Sequence, residues 1–188
     1  MRSISLGEAV ERVASSVTPD RIPLNSLVLG LEDIVPHLGI LNLPAGISEP
    51  VGSTKNVFSA GDILFGKLRP TQRKVVVPDL DGYCTSELIV LRPFESHDTW
   101  FLWSALRSDS ISNQIHGKIV GASLPRISPK QLLSLDIPWP SQDERIEIGR
   151  KSKGLLSLRA KMDLVIADIN EADHALQTSL IQIREGAE

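Results

Sequence analysis

The sequence predicts a mixed α/β (α+β) domain over residues 1–140, followed over residues 141–188 by a long helix able to form a coiled coil. Three observations predict it. Runs rich in Val, Ile, Leu and Phe recur between turn residues, as strands do: GDILFGKL at 61–68, RKVVVP at 73–78 and SELIVLRP at 86–93. Helix signals follow these runs near residues 99–115 and 128–135. After Pro140 the character changes: from Gln142 to Arg184 there is no proline, and the only glycines are Gly149 and Gly154.

Taken in order, SLGEAVERVASSV (5–17) reads as a first helix. Ser5 and Glu8 have capping-box spacing, Leu6, Val10, Val13 and Val17 recur at helical intervals, and Pro19 ends it. Residues 25–60 read as short strands broken by turns. The three runs above follow, with DLDG (79–82) as a turn before the last of them. A second helix is expected from Thr99 to Ile115, with Phe101, Leu102, Ala105 and Leu106 on one face. HGKIVGASLPRIS (116–128) has little periodicity and reads as a loop. SPKQLLSL (128–135) has Ser128 as N-cap, Pro129 at the first helical position and Gln131 completing a capping box. LDIPWP closes the domain as a terminal strand or extended piece, stopped by two prolines.

In the last segment Leu155, Leu158, Met162, Val165, Ile169, Ala172, Leu176, Leu180 and Ile183 alternate in steps of three and four. That is a heptad-like seam. One apolar stripe on an otherwise charged helix needs a cover. The cover is either the chain's own domain or a partner helix; a rod of about 45 Å would overhang so small a domain, which favours the partner.

Composition bounds the function. A chain of 188 residues with 41% hydrophobic and 23% charged residues belongs with globular proteins, and no apolar run approaches a membrane span. The cytoplasm is the expected compartment. A lone cysteine, Cys84, excludes an internal disulfide framework and a multi-cysteine zinc site. The four histidines lack metal-ligand spacing, and Asp79 and Asp81 read as turn residues. Net charge is −3, but the charges segregate. Residues 54–74 carry Lys55, Lys67, Arg69, Arg73 and Lys74 against Asp62 alone. Residues 105–130 carry Arg107, Lys118, Arg126 and Lys130 against Asp109 alone. Such segregation builds a basic face on an acidic protein, unless these are ordinary solvated charges.

Gly61 and Gly66-Lys67 have the spacing of a nucleotide-binding P-loop, but the rest of that motif is missing. Leu68 stands where a Ser or Thr should hold magnesium, Ile63, Leu64 and Phe65 are bulky strand formers, and Pro70 opposes a helix from Lys67. A strand ending in Lys67 and Arg69, with Arg73 and Lys74 in the turn beyond, fits a phosphate contact better. No catalytic motif is present, so the chain is expected not to be an enzyme.

Three stretches in order, GDILFGKLRP, DGYCTSELIVLRP and GASLPRISPKQLLSLDIPWP running into the heptad helix, resemble the target-recognition domains of specificity (S) subunits of type I restriction-modification systems. In that family a Glu-Gln pair commonly opens the helix; here Glu144 is followed by Arg145. The resemblance implies a DNA-recognition domain and one conserved helix, half of a full S subunit. It implies double-stranded DNA, methyltransferase (M) subunits and a restriction (R) subunit as partners, with a homodimer formed through the helix. S-adenosylmethionine, ATP and magnesium are then expected on partner subunits and none in this chain. Candidate DNA contacts are Lys67, Arg69, Arg73 and Lys74 as one clamp, and His116, Lys118, Ser123 and Arg126 as the other. Arg126 admits two roles, base reader or brace of the fold. A non-DNA-binding coiled-coil adaptor, or a regulatory half subunit pairing with another S or M subunit, is the alternative.

Overall fold

A computed structural model describes residues 2–42, 52–118 and 124–185. The chain divides into two compact units, Met1–Ser152 and Lys153–Glu188.

The first unit is built on three sheets. A two-stranded one pairs β1 (Ser3–Ser5) with a strand near residue 137. One four-stranded sheet contains β2 (Val10–Val13), and the other contains β3 (Ser16–Val17), β4 (Val28–Leu29) and β5 (Lys55–Phe58). The remaining strands are β6 (Ile63–Gly66), β7 (Val75–Val76), β8 (Gly82–Cys84), β9 (Leu88–Pro93) and β10 (Asp136–Pro138). The sheet orders are β1-β10, β2-β9-β6-β7 and β3-β5-β8-β4. All pairings are antiparallel except β4 with β8.

Leu29, Phe58 and Cys84 from one four-stranded sheet meet Leu64, Val76, Leu88 and Val90 from the other in one core. Strand residues alternate sides, so Ile63, Phe65 and Val75 face away from that core, yet they are buried too. Helix α1 (Thr99–Leu106) lies near β7, where the Trp103 indole N–H donates to the Val75 carbonyl at 2.9 Å. A sheet buried on both faces needs an uninterrupted apolar run, and ILFG supplies one. This is the physical reason the P-loop spacing misleads: its bulky residues are core.

Two expectations are corrected. SLGEAVERVASSV is not a helix. Its capping box forms, with the Ser5 N–H and hydroxyl both donating to the Glu8 carboxylate at 2.8 Å, but it closes a single 3-10 turn, Leu6–Glu8. The chain then extends, because β9 offers a free edge on which Val10–Val13 pairs with Pro93–Val90. The second helix is two helices. Ser108 accepts the Ile111 N–H and starts α2 (Asp109–His116) afresh. Where the sequence reads as a turn at DLDG, β8 forms from Gly82; Gly82 is needed there, since a Cβ would stand 2.7 Å from the Leu27 carbonyl oxygen and from the Phe58 ring.

The 128–135 segment folds as expected. Helix α3 (Pro129–Leu133) carries its capping box, with Ser128 N–H and hydroxyl on Gln131 Oε1 at 2.9 and 2.7 Å. Helix α4 spans Gln142–Glu185. It begins with a further capping box, in which the Ser141 N–H and hydroxyl donate to Glu144 at 2.9 and 2.7 Å and hold that carboxyl below its usual range. The first turns of α4 belong to the first unit. Gly149 lets the helix approach α1 closely, since a Cβ would meet the Phe101 backbone nitrogen at 3.2 Å.

The second unit is the remainder of α4. Leu155, Leu158, Met162, Val165, Ile169 and Leu176 are each more than half exposed, and Ala172 is exposed as well. The side chains of Leu180 and Ile183 lie outside the described residues. No helix among the described residues is long and apolar enough to cross a membrane.

Candidate nucleic-acid interface

Parts of the two stretches expected to form clamps meet at one edge: Lys67 and Arg69 from the first, and Arg126 from the second. Strand β6 ends at Gly66, and the next residues run antiparallel to Pro125–Ile127. Leu68 and Arg126 form a bridge, Arg69 N–H donates to the Pro125 carbonyl at 2.8 Å, and Ile127 N–H to the Lys67 carbonyl at 3.0 Å. Lys67 N–H in turn donates to the Glu87 carbonyl at 2.9 Å, just before β9. Lys67, Arg69 and Arg126 are therefore neighbours, although 57 positions separate Arg69 from Arg126.

Glu87 is the carboxylate among them. Its Oε1 lies 3.8 Å from Lys67 Nζ and 3.4 Å from Arg126 Nη2. Its Oε2 is buried and has no hydrogen-bond partner among the described residues. Arg69 is exposed, and its guanidinium has no partner among the described residues. Its backbone is left-handed, with φ 48°, and Arg73 repeats this at 52° on the far side of the 3-10 turn Pro70–Gln72. Such conformations cost an arginine on the order of 1 kcal/mol or more and persist only where surrounding contacts impose them. Here the Pro125 carbonyl holds one end, and the Gln72 carbonyl accepts the His37 N–H at 2.8 Å.

Other expected contacts are occupied internally. The Arg73 guanidinium donates to the Arg107 carbonyl at 3.2 Å and pairs with Asp109, tying the turn to α2. Lys74 Nζ donates to the Leu31 carbonyl at 2.7 Å. Lys55, counted in the basic stretch, is buried on the Ser53 carbonyl and hydroxyl at 3.0 and 2.7 Å. Asp62, the one acid of that stretch, is buried and forked by Arg92 through two 2.8 Å bonds. The basic edge is thus narrower than the sequence count. His116 ends α2 and is exposed. The Lys118 carbonyl accepts from Gln131 Nε2 at 2.7 Å. Neither residue shares Glu87. Ser123 lies outside the described residues, 119–123 being among those not described.

Sequence reasoning missed Glu87. It lies inside the quoted SELIVLRP run, where a lone acid before an apolar strand looks like ordinary edge chemistry. Only the pairing of distant segments puts it beside two cations.

Cys84 is fully buried, and burial pushes its thiol from an ordinary 9.0 up to about 12. A buried neutral thiol is a poor nucleophile. The folded chain keeps this proton where the unfolded chain loses it. Stability from Cys84 is therefore complete below about pH 9 and is expected to decline as pH rises from 9 towards 12. Urea titrations of the chain and Cys84→Ala should diverge across that window and run parallel below it.

Fold and edge together give an α/β head with cations at a strand end, and a helix whose apolar seam is exposed. No family model matches the chain. It is 28% identical over 127 residues, or 67% of its length, to the type I restriction enzyme EcoDI specificity subunit of Escherichia coli, and covers 27% of that protein. Its fold matches the HsdS subunit from Thermoanaerobacter tengcongensis with a TM-score of 0.64 and 26% identity, covering 89% of this chain and 45% of that one. It also matches a chain from a structure of complex assembly and conformational transition of the type I R-M system, with a TM-score of 0.63 and 21% identity over 97% of this chain and 49% of that one. The chain thus spans less than half the length of the relatives it matches. The resemblance carried by the three motifs is borne out: the chain is similar in sequence and fold to type I specificity subunits.

Proposed function

We propose that this chain is a non-catalytic DNA-recognition module of a type I restriction-modification system, reading one half of a bipartite site. The observation that supports it most is the meeting of Lys67, Arg69 and Arg126 at one strand-end edge, from two motif segments far apart in sequence. Phosphate contacts from such an edge supply affinity, and arginines beside it can reach base edges, above all guanine O6 and N7. Arg69, exposed and with its guanidinium unengaged among the described residues, is the first candidate. Arg73 and Lys74 position the turn that presents it, and His116 and Lys118 precede the second segment in the chain.

In this reading the exposed seam of α4 covers itself with the same seam of a second copy. Two heads then read two equal half-sites at a spacing set by the helices. Methylation and cleavage belong to M and R subunits, which would hold S-adenosylmethionine, ATP and magnesium, and the helix and its junction would dock two M subunits.

The test is co-expression with the methyltransferase subunit, followed by base-resolution mapping of methylated adenines. An interrupted palindrome is the expected outcome. An asymmetric site would mean pairing with a different recognition domain. Absence of new methylation by a complex that does assemble would overturn DNA specification in favour of the adaptor reading.

A further inference from the structure

A carboxylate in the middle of a phosphate-binding edge works against affinity. Glu87 nevertheless stands between Lys67 and Arg126 with 29% of its side chain exposed. As a brace it is poorly made. One contact is 3.8 Å, beyond hydrogen-bond range, and the other is 3.4 Å, at the edge of it. The segments it joins are already held by backbone bonds of 2.8 to 3.0 Å. Its second oxygen is buried and unsatisfied among the described residues. A carboxylate has about four acceptor sites, so this one retains capacity for a donor.

We propose that Glu87 is a specificity-determining residue of the DNA interface, a proposal that rests on the function given above. Without its target, the carboxylate restrains Lys67 and Arg126 and repels phosphate, which lowers affinity for arbitrary duplex. With its target, Glu87 turns outward and accepts a hydrogen bond from the exocyclic amino group of a base in the major groove, cytosine N4 or adenine N6. Lys67 and Arg126 are then released to phosphate. Discrimination arises because a base lacking that amino group leaves the carboxylate facing phosphate without compensation.

The full chain is compared as wild type, Glu87→Gln, Glu87→Asp and Arg69→Glu. The probes are a short duplex of random sequence, titrated with salt, and a library of randomised duplexes from which bound members are selected and sequenced. Glu87→Gln is expected to bind the random duplex about tenfold more tightly, with a salt slope steeper by about one. Duplexes selected by the wild type should share a cytosine or adenine at one position. Glu87→Asp, with the same charge drawn back by one methylene, should keep the weak random binding and lose that preference. If Glu87→Gln binds the random duplex no more tightly while Arg69→Glu weakens it, Glu87 is only a brace and the proposal fails. If neither variant changes binding, the edge is not the DNA interface, and both proposal and parent reading fall. Should Glu87→Gln not fold, Glu87→Asp decides alone: retention of the wild-type base preference overturns the proposal.

Discussion

Replacing Arg145 with alanine is expected to destabilise the first unit by about 3–5 kcal/mol, the usual cost of leaving one buried charge without its partner. Arg145 is 8% exposed and Asp98 3%. The guanidinium donates through Nε to Asp98 Oδ1 at 2.7 Å and through Nη1 to the Pro140 carbonyl at 2.9 Å, and lies 4.1 Å over the Trp139 ring. Trp139 in turn packs edge-on against Phe101. One side chain thus joins the first turn of α4, the Pro140 carbonyl before it and the start of α1. Lysine would retain the charge but not the fork or the flat stack, so Arg145→Lys should recover only part of the loss. The double variant Arg145→Met with Asp98→Leu should be far milder than Arg145→Ala, since replacing both partners removes the unpaired charge. Urea denaturation followed by tryptophan fluorescence measures all three. A loss below about 1 kcal/mol for Arg145→Ala would mean that Asp98 gains another donor or reaches water.

The second large effect concerns assembly. If two copies pair through α4, Leu158→Glu combined with Ile169→Glu should abolish pairing while leaving the head folded. Each buried side chain of this size contributes about 1.5–3 kcal/mol, and a two-fold pair loses every substitution twice. The dissociation constant should therefore rise by at least about four powers of ten. Sedimentation velocity shows this as a dimer becoming a monomer. A wild-type chain that stays monomeric at tens of micromolar, by order of magnitude, would rule out self-pairing and leave an M subunit or another S subunit as the cover of the seam. The exposure of Leu155, Leu158, Met162, Val165, Ile169 and Leu176 is what motivates this prediction.

Local signals were legible where local chemistry decides. Ser128 and Gln131 close α3, because a capping box is complete within four residues. The 61–68 and 86–93 runs form strands, being short, bounded by turn residues and apolar throughout, as a sheet covered on both faces requires. The same kind of local signal failed at Ser5 and Glu8. Their box is present, but a vacant strand edge on β9 outweighed helix periodicity in the residues that follow. Helical intervals at Leu6, Val10 and Val13 could not reveal that edge, since it is made by residues some eighty positions away.

The candidate site divides along the same line. The sequence by itself determined the residue types at the edge, the ordered motifs that relate the chain to type I specificity subunits, the apolar seam, and the departure at Arg145. Each is a property of neighbouring residues, and neighbours in sequence remain neighbours in space. Tertiary structure alone decided which cations share the edge. Lys55, Arg73 and Lys74 look equivalent to Lys67 and Arg69 in a charge count, yet backbone carbonyls, a serine and Asp109 engage them inside the fold. It alone brought Glu87 between Lys67 and Arg126, and Asp98 onto Arg145. The reason is physical: a charge acts over a few ångströms of space, and which charges come that close is set by the pairing of segments distant along the chain.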